Sequence, residues 1–263
     1  MGNEKTIYGI ASMTEHYYNS LAPFYKYMYQ DWEASVQRQA EALDGVIREF
    51  LGEKPKTVLD AACGIGTQSI GLAKLGYQVT ASDLSPVAIE QAREEALRHG
   101  VQIEFNVVDM RQVREAYQRQ FDIVIACDNS VPHLHSDDEI LLAFKQFYQC
   151  VKPGGGCLIS VRDYAQMERA EKGKQMIPRL IHQTDHGQVI LIDVWDFDGN
   201  SYEITTYLVE DEGKPEANTK IILGGKYYWV GISTLETLLK EAGFEDIHIL
   251  RERFFQPLIL AKK

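Results

Sequence analysis

Asp60, Cys63, Gly64 and Gly66 stand close together in TVLDAACGIGT, residues 57–67. Residues 57–61 have strand character and run into a loop of small residues, and a helix is expected from 68 to 74. A strand that feeds a glycine turn at a helix N-terminus lets a ligand reach the backbone, because Gly64 and Gly66 carry no side chain. The next expected strand, 77–82, ends at Asp83, about 20 residues past the glycines, where a nucleotide-binding α/β unit places the acid that holds ribose hydroxyls. The bland alternative is an ordinary βα turn, with Asp83 as a cap acid before Ser85. A third glycine in the G-x-G-x-x-G spacing of dinucleotide sites would fall on Ser69. Its absence disfavours a nicotinamide-dependent oxidoreductase.

The elements that must position this loop alternate as βαβα, which predicts a parallel sheet wound with helices on both faces. Strands are expected at 57–61, 77–82, 103–108, 121–127 and 156–161. Helices are expected at 68–74, 85–99 and 137–150, and Ser85-Pro86 opens one of them with a cap and a first-turn proline. Lys152-Pro153-Gly154-Gly155-Gly156 reads as a turn before the fifth strand. Residues 37–51 place Ala40, Leu43, Val46, Ile47 and Phe50 at helical spacing. Ahead of them, residues 1–12 read as a loose lead, and 15–32 as an aromatic-rich amphipathic helix. Residues 188–196, 202–210 and 220–230 alternate as antiparallel strands inside a long insertion, with Asp198-Gly199-Asn200 as a hairpin turn. The chain closes with a helix at 234–242, a glycine cap at Gly243, and two strands at 247–251 and 255–261.

Length and composition bound the rest. The 263 residues suit one sizeable domain or a domain with a large insertion, and 45% hydrophobic with 25% charged residues fits a globular chain. A net charge of −11 gives no basic footprint for a phosphate backbone, so nucleic acid is not an expected partner. Cys63, Cys127, Cys150 and Cys157 form no CxxC pair or metal-ligand spacing and read as reduced thiols, with no metal expected. No apolar run approaches the roughly 18 residues of a membrane span, so the expected setting is cytoplasmic, without membrane contact.

The D-x-x-C-G-x-G arrangement resembles motif I of the class I S-adenosylmethionine-dependent methyltransferases, and the resemblance extends over about 17–263. It implies a Rossmann-like, doubly wound and mostly parallel seven-stranded sheet, with a small antiparallel β lid inserted after strand five. The organisation that follows is an N-terminal helical segment at 1–50, a core at 51–164 and 231–263, and a lid at 165–230. The cofactor implied is S-adenosyl-L-methionine. Ala61, Gly64, Ile65 and Gly66 would take its methionine part, and Asp83 and Leu84 its ribose; Arg38 either reaches its carboxylate or is an exposed helix arginine. Asp109 and Met110 would meet the adenine, and Asp128 and Ser130 would pass under the sulfonium. Tyr25, Tyr29 and Trp32 belong to an aromatic segment that in this family folds over the site.

Two further stretches, DNSVPHL at 128–134 and SVRDY at 160–164, resemble the glycine/sarcosine N-methyltransferase group. The group's pattern is G-N-S-x-x-H-L after strand four and H-R-N-Y-D after strand five; Asp128 and Asp163 depart from it. Asn129 and Arg162 match its ligands for the substrate carboxylate, and paired guanidinium donors suit that group; the alternative for Arg162 is an ion pair with Asp163 or a helix acid. Tyr207, Tyr227 and Tyr228 fall about where the group keeps tyrosines near its substrate. The expected activity is in-line methyl transfer to the nitrogen of a small, carboxylate-bearing amine. Asn129 and His133 are the candidate catalytic residues, His133 as a base or as a structural group. The alternatives are N,N-dimethylation of an amino sugar, O-methylation of a small natural product, or a cofactor-binding module without turnover. A homo-oligomer is possible on this reading.

Overall fold

The structure is a computed structural model that describes residues 4–53, 56–168 and 172–263, and of residues 4–12 the backbone alone. Its centre is a sheet in which the inner strands are buried on both faces and the edge strand β3 is half exposed: β1 (Thr57–Asp60), β2 (Gln78–Asp83), β3 (Glu104–Val107), β4 (Phe121–Ala126) and β5 (Val151–Ser160). Two more strands, β10 (Glu245–Leu250) and β11 (Leu258–Lys262), complete seven in the order β10-β11-β5-β4-β1-β2-β3. Strands β1 to β5 pair in parallel, and β11 runs antiparallel to both β5 and β10. The order reverses at β1, so the carboxyl ends of β1 and β4 flank the crevice where open α/β sheets bind ligands.

Helices cover both faces. α2 (Trp32–Leu51), α3 (Thr67–Lys74) and α4 (Pro86–Arg98) bury one face, and α5 (Val113–Tyr117), α6 (Asp137–Cys150) and α7 (Ile232–Ala242) the other. Their starts follow from local chemistry. Asp31, Ser85 and Ser136 each accept a backbone N–H of the first turn, from Ala34, Ala88 and Glu139. Because Asp31 caps it, α2 starts at Trp32, ahead of the residue 37 expected. The turn expected at 152–156 lies instead within β5, where Gly154 donates its N–H to the Lys263 carbonyl.

The N-terminus departs most from expectation. α1 (Glu4–Leu21) occupies part of the stretch expected to be a loose lead. The aromatic stretch is not one helix either: a 3-10 helix, Ala22–Met28, follows α1, and α2 begins after it. Pro23 explains the break, since its ring cannot continue an α-helical ladder.

A second sheet, antiparallel in the order β6-β7-β8-β9, is built from β6 (Lys172–Thr184), β7 (Gly187–Asp198), β8 (Ser201–Asp211) and β9 (Asn218–Tyr228). It has one strand more than the alternation suggested. β6 contains Pro178, which removes a ladder donor and is tolerated because the strand lies on the edge. The inner face of this sheet packs Leu191, Leu208 and Ile222 against α1 and the 3-10 helix. At Gly225 a Cβ would come within 2.7 Å of the Tyr17 ring, so glycine permits the close approach of α1 to β9. Among the described residues no helix is long and apolar enough to cross a membrane.

Candidate active site

A cleft opens at the carboxyl ends of β1, β2 and β4, lined by Ala61, Gly64, Asp83, Leu84, Asp109, Met110, Asp128 and Ser130 among others. Gly66 caps α3 with φ +90°, a conformation that glycine adopts without strain, while a Cβ there would press on Ile70 and Ala92. The turn is tied to β2 from both sides. Cys63 donates its N–H to the Ser82 carbonyl at 2.9 Å, and Gly64 and Ser85 donate theirs to the two oxygens of Asp83, both at 2.9 Å. A Cβ on Gly64 would meet no protein atom within 4 Å, so the cleft continues over its backbone. Beneath the loop Asp60 is buried. Desolvation pushes its carboxyl up to about 7, and its hydrogen bonds from Ser69 and Ala62 oppose that shift. Burial raises Asp83 as well.

A second cavity of about 730 Å³ adjoins the cleft, and Tyr18, Tyr25, Tyr29 and Asp128 line both. Asp128 stands at this junction, and it and the following Asn129 adopt the left-handed region, with φ of 57° and 62°. Asp and Asn tolerate that region better than most residues, and β5 holds them in it. Asp128 donates its N–H to Ser160 Oγ at 2.7 Å, and Asn129 its own to the Ser160 carbonyl at 3.0 Å. Tyr25 and Tyr29 both donate their hydroxyls to Asp128 Oδ2, at 3.3 and 3.1 Å.

Arg162 forms one wall of this cavity. Its Nη1 donates to the Tyr202 hydroxyl at 2.8 Å, and its guanidinium lies 5.0 Å from the Trp195 ring centre and 5.4 Å from that of Tyr227. It has no ion-pair partner among the described residues; Asp163 pairs with Arg251 instead. Burial works against the charge, yet the tyrosine hydroxyls around it more than restore it and leave its pKa raised. Across the same cavity Arg179 meets the buried Asp193 at 3.3 Å, and Thr206 donates to that carboxylate at 2.8 Å.

His133 lines the cleft from a 3-10 turn, Val131–His133. Its Nδ1 lies 2.9 Å from the Lys226 carbonyl, which can only accept, so Nδ1 carries the proton. Nε2 of the neutral ring is then the acceptor for the Tyr18 hydroxyl at 2.6 Å. Burial lowers the imidazole to about 3, against its ordinary 6.5.

Not every expected site residue reaches the two cavities. Ile65 is core, and Gly66 acts as the cap of α3. Trp32 is buried and donates Nε1 to Thr67 Oγ1 at 3.0 Å, steadying the start of α3 from behind the cleft. Arg38 faces the second cavity and donates to Ser35 Oγ. Asp109 is chelated by the Arg111 guanidinium, with Nε at 3.0 and 3.1 Å from its two oxygens. Asn129 is 1% exposed, and its carboxamide accepts the Arg162 N–H at 3.0 Å and meets the Tyr164 hydroxyl. It therefore positions Arg162 and lines neither cavity. Tyr207 pairs with Ile192 and Ile221 on the outer face of the lid, and Tyr228 donates its hydroxyl to Asp137. Sequence reasoning missed Tyr18, Asp193, Trp195 and Tyr202. The signal available was parity, since Tyr202 shares the two-residue phase of Ile204 and Thr206.

The comparisons with known proteins agree with this geometry. Residues 58–155 match the family described as a methyltransferase domain. Over 162 residues the chain is 32% identical to the ubiquinone biosynthesis O-methyltransferase of Xanthomonas euvesicatoria pv. vesicatoria (strain 85-10), covering 59% of this chain and 66% of that protein. It is 32% identical over 134 residues to the glycine/sarcosine N-methyltransferase of Aphanothece halophytica, covering 51% of this chain and 49% of that one. The fold superposes with a TM-score of 0.71 and 17% identity on the structure of CalS10 with S-adenosylmethionine bound, an amino pentose methyltransferase from Micromonospora echinaspora, over 89% and 96% of the two chains. The open space over Gly64, the half-buried acid at the end of β2 and the apolar Met110 lining the same cleft fit an adenosyl group with an amino-acid tail. With its motif loop, sheet order and matched sequence, the chain belongs to the class I S-adenosylmethionine-dependent methyltransferases.

Proposed function

We propose that this chain transfers a methyl group to the nitrogen of a small amine bearing a carboxylate, larger than glycine. The observation that carries this reading is Arg162, a half-buried guanidinium on a cavity wall with no carboxylate within salt-bridge distance among the described residues. Removing such a charge from water costs several kcal/mol unless a counter-charge meets it, and a ligand carboxylate does so with paired hydrogen bonds. At about 730 Å³ the cavity lies within the roughly 300–1,000 Å³ of sites for drug-sized ligands. Arg179, held by Asp193, offers a second polar contact for the part of the acceptor that glycine lacks.

Bound S-adenosylmethionine supplies a methyl group activated on a sulfonium, so the protein's task is alignment and a suitable field. Ala61 and Gly64 would hold its methionine part, Asp83 its ribose and Met110 the adenine face. Asp128 stands at the junction of cleft and cavity, where positive charge passes from sulfur to nitrogen, and its carboxylate suits both ends of that transfer. Tyr25 and Tyr29 fix its orientation, and the tyrosine faces around it favour a cationic product. His133 is too weak a base to strip an ammonium, since its conjugate acid titrates at about 3. Its role in this reading is to accept a hydrogen bond from the Tyr18 hydroxyl, which turns the phenol oxygen's lone pairs toward the acceptor. The ammonium then loses its proton to water on the way in.

The size of the cavity also favours a second reading, dimethylation of an amino sugar or O-methylation of a small natural product. It ranks second because a neutral acceptor leaves Arg162 unmatched. The deciding experiment is a methyl-transfer screen by mass spectrometry over glycine, sarcosine, dimethylglycine, larger amino acids and amino sugars, repeated with Arg162→Ala. A hydrogen-bonded charge is worth about 1.5–3 kcal/mol, so KM for the true acceptor should rise about ten- to 150-fold, with a smaller fall in kcat. An unchanged KM with an amino-acid acceptor would remove the carboxylate anchor.

A further inference from the structure

The middle of the lid sheet's outer face is apolar and faces away from the site. Strand pairing aligns Met176 with Val194, Pro178 with Ile192, and Ile181 with Ile190, and carries these rows across β8 to Thr205, Tyr207 and Val209. Tyr207 in turn faces Ile221 on β9. On the two edge strands Met176 is 63% exposed, Ile181 62%, Ile221 53% and Leu223 60%. Residues of opposite phase on the same strands, such as Leu191, Trp195, Ile204 and Leu208, are buried against the rest of the chain. Among the described residues none of the buried apolar clusters includes this outer face. An antiparallel sheet with one solvated face ordinarily alternates apolar-in with polar-out. Here both phases are apolar through the middle of the sheet.

From this we infer that the chain is a homodimer, and that a second copy packs its own lid sheet face to face on this one. Two features favour a second copy over an unlike partner. The first is area. Four strands spaced about 4.8 Å apart and at least 11 residues long give a face of roughly 700 Å², against the roughly 800 Å² per partner of a standard interface. The apolar rows fill the middle of that face and charged residues its border, the layout of an interface core and rim. The second is charge. The chain carries −11 overall, so two copies repel over most of their surfaces. The charged row that borders the apolar rows runs Lys174, Asp196, Glu203, Lys226 from β6 to β9 and sums to zero. This face is therefore one where like-charged copies can meet, and a flat sheet packed on its own twofold mate is a self-complementary contact. The inner face of the same sheet carries Asp193, Trp195 and Tyr227 around the second cavity, so the contact would brace the wall of the acceptor site from behind.

The test is light scattering coupled to size exclusion on the full chain at micromolar concentration. The wild type should run as a dimer of about 60 kDa, twice 29.9 kDa. Ile221→Lys with Leu223→Lys should give a monomer with unchanged far-UV circular dichroism. Leu97→Lys with Leu142→Lys, on exposed apolar positions of α4 and α6, should stay dimeric. In the wild type, amide exchange of residues 190–194 and 205–209 should slow as concentration rises, a readout that holds if the edge variants fail to fold. A monomeric wild type, a dimer that survives the Ile221/Leu223 change, or exchange independent of concentration would each overturn the inference.

Discussion

His133 and Asp60 carry opposite pH signatures, and single substitutions separate them. The folded-state pKa of His133 is lowered to about 3 from 6.5, so between these values the unfolded chain binds a proton that the native one refuses. Its share of stability is full above about 6.5 and is lost as pH falls toward 3. His133→Asn should therefore melt with a shallower acid slope than wild type between pH 6.5 and 4; parallel slopes would mean that the ring is not held neutral. Asp60 runs the other way. Its pKa is raised to about 7 from 3.8, so the native state keeps a proton that the unfolded chain gives up. That contribution is full below about 4 and is gone once pH has risen through 7. Asp60→Asn, which retains an acceptor for Ser69, should lose less stability than wild type as pH rises from 5 to 8, read by thermal melts across that range. Residue types alone pointed to Asp83, Gly64 and Arg162, because a glycine turn, a strand-end acid and a guanidinium have chemistry that composition reveals. They could not show that Asn129 is walled in, since whether a carboxamide meets a ligand or a backbone N–H depends on how β4 and β5 end. The parity that separates Tyr202 from Tyr207 is faint in residue types alone, because Thr205, Tyr207 and Val209 give the opposite phase of β8 a similar character.

At the scale of elements, the core sheet was legible because each strand is bounded by a turn and each helix by a cap that chemistry fixes locally. The N-terminal cover was not, because its helices are shaped by what they pack against. α1 lies on β9, and the 3-10 helix lies between the lid sheet and the cleft, contacts separated by about 200 residues of chain. Gly225 is the point where this packing is tightest, with no room for a Cβ beneath the Tyr17 ring. Gly225→Ala should cost about 1–3 kcal/mol by overpacking. It should also move α1, and with it Tyr18, out of reach of His133. The expected result is a lower melting temperature and a raised KM for the acceptor. A loss of stability with kinetics unchanged would show that α1 tolerates displacement and that Tyr18 is not part of the acceptor site.

For the whole molecule, the site lies where two sheets of different kind meet: the parallel core presents the cleft, and the antiparallel lid presents the Arg162 box. A ligand that touches the motif loop, the end of β2 and the aromatic cover at once binds the folded chain and has nothing to hold in the unfolded one. Linkage then sets the size of the effect. At 100 times its dissociation constant such a ligand adds about 2.7 kcal/mol, and at roughly 2–4 °C per kcal/mol for a chain near this length the melting temperature should rise by roughly 5–10 °C. S-adenosylhomocysteine, which has the same nucleoside and amino-acid tail without the methyl, is the ligand to use, and NAD is the control that should leave the melt unmoved. Asp83→Ala should abolish most of the shift, because Asp83 both faces the cleft and holds the Gly64 N–H. Arg162→Ala should preserve it, because Arg162 faces the acceptor cavity and not the nucleoside cleft. A shift lost equally in both variants would mean that the two cavities are not separable binding sites, and no shift in the wild type would remove the cofactor from the cleft altogether.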